Sequence, residues 1–177
     1  MRIGFRQCDP RFPFLWTDTA QPAARWHGDG EGPANYFADT PTGAWAEFLR
    51  HEGITDAADL AGVQRSLWAV ELPDNGWQAP MLPEATLFGD ETSYPACRQE
   101  AARLRALGAL RLEVRGAALL PGAARGWTAG AAANPPSPTP RDGRGWVVFD
   151  AQPLVGWAAV DGGVPPPEVL PLVRHLR

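Results

Sequence analysis

Lysine is absent from this chain: all 16 basic residues are arginine. With 19 glycines, 19 prolines and abundant alanine, the bias is consistent with GC-rich coding, and it lowers the weight of any single arginine as a functional signal. Cysteine is scarce too. Cys8 and Cys97 form no CxxC pair, and two thiols in a chain of this size read as ordinary reduced residues of a cytoplasmic protein. The opening MRIGFRQCDP has no apolar core long enough for a signal peptide, and no run approaches the roughly 20 apolar residues of a membrane span. Excess positive charge is missing as well. A formal charge of -4 and a pI near 5.3 argue against general phosphate-backbone binding, so no direct nucleic-acid partner is expected.

Several chemical signatures are missing. His27, His51 and His175 match no metal-ligand spacing. Glu47 and His51 stand four apart but without an HExxH motif, so no metal is expected. No GxSxG elbow surrounds Ser66, Ser93 or Ser137, and no GK[ST] follows the glycine-rich run Gly28–Pro33.

What is present fits one domain over residues 1–177. Pro10, Pro13, Pro22 and Pro33 make residues 1–34 read as irregular. Asn35–Ala38 reads as a short strand. Thr40 before Pro41 is a cap-plus-first-turn signal for a helix with Ala44, Trp45, Phe48 and Leu49 on one face, ending near Gly53. Asp56–Gly62 adds a turn. Ser66–Leu72, Leu82–Phe88, Leu110–Val114, Ala117–Leu120, Trp146–Phe149 and Leu154–Val160 read as strands. Tyr94–Leu107 is the strongest helix, and Glu168–Leu176 a short C-terminal one. Residues 126–144 read as a loop, mobile at its centre. Strands and helices mix without βαβ alternation, so the class is α+β. Trp16, Trp68, Trp77, Trp127, Trp146 and Trp157 are expected mostly in the core.

The residues richest in chemistry lie between Arg25 and Glu52. An arginine fork at Arg25, backed by Trp26, suits a pyrophosphate, and equally a surface arginine stacked on a tryptophan. The Gly28–Pro33 turn could bring backbone N–H groups to a phosphate, or simply close a loop. Tyr36 could stack on a flat base and bond a ribose through its hydroxyl, or pack in the core. Glu47 borders the apolar stripe beside Trp45. There a carboxylate can stabilise positive charge on a sugar whose glycosidic bond is breaking, or pair with Arg50 or His51 as a solvated helix residue.

Together Arg6, Arg25-Trp26, Tyr36-Phe37-Ala38-Asp39 and Ala46-Glu47 resemble the signature of RES-domain proteins. The likeness continues weakly through Tyr94–Leu107, Arg115–Leu119 and Gly126-Trp127. The resemblance implies an ADP-ribosyltransferase-like fold, a split and mostly antiparallel β core with flanking helices. It implies an NAD-degrading toxin of a toxin–antitoxin pair, with NAD as substrate, no cofactor, phosphate or water as acceptor, and a helix-turn-helix antitoxin as partner. It implies Glu47, Arg6 and Tyr36 as catalytic residues, and Arg6, Arg25, Trp26, Tyr36 and Gly116 as NAD-binding ones. In one place the sequence departs from the pattern: Gly116 stands where the family carries a serine in a segment like R-S-A-A-L. That leaves open a chain that binds NAD, ADP-ribose or a partner without turnover, or one that transfers ADP-ribose to a protein.

Overall fold

The computed structural model describes residues 1–127, 138–149 and 153–176. In chain order the strands are β1 (Arg2–Cys8), β2 (Asn35–Ala38), β3 (Arg65–Leu72), β4 (Trp77–Gln78), β5 (Arg111–Arg115), β6 (Gly126–Trp127), β7 (Pro138–Thr139), β8 (Arg144–Val148) and β9 (Gly156–Gly163). The helices are α1 (Pro41–His51), α2 (Glu84–Leu87) and α3 (Tyr94–Ala106), with 3₁₀ turns at Ala57–Leu60, Glu91–Ser93 and Pro167–Leu172. Seven strands form one sheet in the order β4-β5-β8-β2-β1-β3-β9, antiparallel except for β4 beside β5, and β6 and β7 pair separately. This is the mostly antiparallel, helix-flanked α+β architecture expected.

The local signals around α1 act as read. Thr40 is extended, and its hydroxyl accepts from the Gly43 amide at 3.0 Å, while Pro41 occupies the first turn. Gly53 follows at φ +65°, a left-handed value that suits glycine. Ala44, Trp45, Phe48 and Leu49 are buried against Leu67, Leu119, Val169 and Val173. On the same sheet face, α3 packs Cys97, Ala101 and Leu104 against Leu112 and Val147. Alternation along the strands sends Phe37, Val70, Leu72, Trp146 and Val148 to the other face, where Phe14, Leu15 and Trp68 cover them.

Several expectations are corrected. The supposedly irregular N-terminus contains β1, which pairs with β3 from Arg2↔Leu72 to Cys8↔Ser66. Leu82–Phe88 carries the helix α2 rather than a strand. Ala117–Leu120 joins no ladder: Leu120 N–H donates to Leu172 O and Arg174 N–H to Ala118 O, so this stretch pairs with the C-terminal segment. That segment is a 3₁₀ turn at Pro167–Leu172, not an α-helix, and Pro171 within it lacks the amide a helix would use. The expected loop at 126–144 includes the short pair β6–β7, and its centre, 128–137, lies outside the described residues. Of the tryptophans, Trp146 is core, whereas Trp16, Trp127 and Trp157 are exposed.

The two sides of β1 differ. Against β3 it is registered along its whole length; against β2 it has the single pair Phe5↔Ala38. Beyond that pair the strands part, and the sheet opens into a cleft.

Candidate functional site

The cleft holds about 560 Å³, within the range of small-molecule pockets. β1 contributes Arg6 and Gln7, β2 contributes Tyr36 and Phe37, α1 contributes Glu47 and His51, and the end of β5 brings Arg115 and Gly116.

Arg6 lies across the gap. Its Nη1 donates to the Tyr36 carbonyl at 3.2 Å, and its Nε is buried with no hydrogen-bond partner. Burial lowers its pKa to about 10, so it stays cationic at neutral pH. A partly desolvated cation lining a cavity is a candidate site for an anion.

Glu47 is the one residue between Gly43 and Arg50 that α1 does not bury. Its side chain is 42% exposed and faces the cleft, with His51 Nε2 3.6 Å from its carboxylate one turn on. Glu47 therefore pairs with a helix neighbour, one of its two sequence readings, and the pair lines the cavity. Arg50 points elsewhere. It is 3% exposed and donates to the carbonyls of Ala117, Phe88 and Gly89.

Tyr36 presents its ring to the cleft. Its hydroxyl accepts from the Trp26 amide at 3.1 Å and meets His27 Nδ1 at 2.8 Å, so it is committed to holding residues 26–27 on β2. Burial raises its pKa, leaving it a neutral phenol. The arrangement is a parted sheet with a cation on one lip and a carboxylate on a helix over the other. A model of the RES domain matches residues 2–144.

The chain belongs to the RES-domain family.

No curated protein matches it significantly. Within this RES domain, Arg25 and Trp26 act as wall rather than grip. Arg25 gives Nη1 to the carbonyls of Thr86 and Leu87 and to Ser93 Oγ, and Nη2 to the Gly89 carbonyl at 2.7 Å, with its guanidinium 4.5 Å from the centre of the Tyr94 ring. Trp26 is buried with Cys97 and Leu112. The Gly28–Pro33 turn closes on itself through Gly28 N–H to Glu31 Oε2, and it does not line the cleft.

Gly116 lies where the cleft narrows into an annex of about 20 Å³ shared with Asp39 and Glu47. Its amide donates to Gly143 O at 2.8 Å. A Cβ at 116 would stand 3.0 Å from the Gly143 carbonyl carbon and 3.1 Å from its oxygen. Glycine here lets two backbones touch, so a serine would require the 143–144 backbone to move.

Sequence reasoning did not single out Trp16, Gln7, Glu52 or Arg115 as cleft residues. Arg115 carries no local signal, since its neighbours Glu84 and Asp142 are distant in sequence. Among the described residues no group of three His, Cys, Asp or Glu side chains could hold a metal ion, and no helix is long and apolar enough to cross a membrane.

Proposed function

We propose that this RES domain cleaves the nicotinamide–ribose bond of NAD, with water or inorganic phosphate as acceptor. The observation that carries the reading is the Glu47 carboxylate at the narrow end of a split sheet whose other lip carries the Arg6 guanidinium. Arg6 binds the pyrophosphate, and the Tyr36 ring packs beside the nicotinamide. As the C–N bond breaks, its electron pair leaves with neutral nicotinamide, and the ribose gains oxocarbenium character that Glu47 stabilises. Water then gives ADP-ribose and a proton; phosphate gives ADP-ribose 1″-phosphate. NAD is consumed as substrate, and no step calls for a cofactor. A cytoplasmic toxin of this kind would be restrained by a helix-turn-helix antitoxin that covers the cleft.

Gly116 supports a second reading, a domain that binds NAD or ADP-ribose without turning it over, because no hydroxyl stands at that place. Nicotinamide release by the purified chain, with and without phosphate, separates the two. Wild type is expected to release nicotinamide, and Glu47→Gln to lose about 100- to 1,000-fold in rate while melting like wild type. A folded Glu47→Gln protein with wild-type turnover would sink the enzymatic assignment, and NAD binding without release from wild type would select the second reading.

A further inference from the structure

We infer that Trp16 is the stacking platform for the adenine base of the dinucleotide; the inference rests on the NAD reading of the cleft. Trp16 lines the cavity with 43% of its surface exposed. An indole left in water is normal when scattered singly, but here a buried polar side chain pins the backbone of residue 16 beside the cavity. The Asn35 carboxamide accepts from the Trp16 amide at 2.8 Å and donates to the Trp16 carbonyl at 2.9 Å. Asn35 is itself 3% exposed, and both its amide oxygen and its amide nitrogen bond to the backbone of residue 16.

The surroundings favour stacking over polar readout. Gln21, next along the wall, commits both ends of its amide to Ala34, through Nε2 to the carbonyl and Oε1 from the amide, each at 2.8 Å. Pro22 and Ala24 add apolar lining. This part of the cleft offers a flat aromatic face and few free donors, which suits a nucleobase and not a phosphate.

The placement along β2 fits a dinucleotide. Trp16 is tethered at Asn35, the first residue of β2, and Glu47 overhangs its last residue, Ala38, on the helix that follows. Three strand steps separate these ends, about 10 Å, and Arg6 reaches the Tyr36 carbonyl between them. Base platform, anion site and carboxylate all line the one cavity that the dinucleotide would occupy.

The test compares Trp16→Ala and Trp16→Phe with wild type in two measurements. AMP binding is read by calorimetry, and the kcat/KM ratio of NAD to nicotinamide mononucleotide, which lacks the adenylate, is read by nicotinamide release. Trp16→Ala is expected to weaken AMP binding and to lower the NAD preference, each by roughly tenfold or more, while Trp16→Phe keeps most of both. Folding is checked by circular dichroism; should Trp16→Ala unfold, Trp16→Leu, which keeps bulk without a stacking face, takes its place. Unchanged AMP affinity and an unchanged ratio in a folded variant overturn the platform. So does a wild type that binds no AMP. Loss of AMP binding on Trp16→Ala in a protein that releases no nicotinamide upholds the platform and refutes only the reaction.

Discussion

β1 meets β3 at seven register positions on one side and β2 at a single position on the other. The closed seam satisfies backbone groups with one another and buries Leu67, Val70 and Leu72 on its two faces. The open seam leaves strand edges facing a cavity and fills the gap with Arg6, whose burial opposes its own charge. One seam contributes stability and the other gives some up to make room for a ligand, a division expected where function requires local rules to be broken. Side chains near the open seam divide in the same way. Arg25, Asn35, Gln21 and the Tyr36 hydroxyl are engaged by protein groups, whereas Arg6, Glu47 and Trp16 line the cavity.

The contrast can be broken from either side. After Glu47→Gln, whose effect is on rate alone, the largest effect is expected at the closed seam. Leu72, 4% exposed, packs over Gly4. Leu72→Ala should cost about 3 kcal/mol of stability by urea unfolding, with nicotinamide release per folded molecule retained. A large fall in turnover without a fall in stability would show that the seams are not separable in this way. Next comes Gly116→Ser. The Gly143 backbone stands in the way, so the change should destabilise by about 1–3 kcal/mol and not raise turnover. A stable, faster enzyme would mean that the 143–144 backbone yields freely.

The smallest effect sharpens the contrast. For Arg6 the folded pKa of about 10 lies below its ordinary value. The unfolded state binds the proton more tightly, so the buried charge works against folding at neutral pH, and that cost is relieved as pH rises above about 10. Arg6→Met should therefore melt no lower than wild type at pH 7 yet bind ADP-ribose more weakly, and wild-type affinity should fade as pH rises through 10. Calorimetry at pH 7 and pH 10 checks both; a markedly destabilised Arg6→Met protein would place Arg6 among the structural residues.

The sequence was legible where signals are local and partners near. Thr40, Pro41 and Gly53 mark both ends of α1, and the spacing of Ala44, Trp45, Phe48 and Leu49 gives its buried face. Arg6, Tyr36 and Glu47 are picked out as a set by the resemblance to RES-domain proteins, and the fold brings all three to one cleft. What escaped depends on distant partners. β1 is a strand because β3 runs beside it, and Ala117–Leu120 is not one because the C-terminal segment takes its hydrogen bonds. Arg25 looked like a ligand-binding fork because the carbonyls that occupy it lie some sixty residues further on, at Thr86–Gly89. Trp16 looked like core because a tryptophan among prolines says nothing about the Asn35 side chain that holds it at the surface.

Pairing of β2 with β8 also governs when the site comes into being. Arg6, Tyr36 and Glu47 all belong to the first third of the chain, yet β2 is registered with β8 from Asn35↔Val148 to Ala38↔Gly145. On a ribosome the candidate site residues emerge well before β8, the strand registered along the whole of β2. A chain that stops short of β8 carries the residues of the candidate site without the strand that flanks β2.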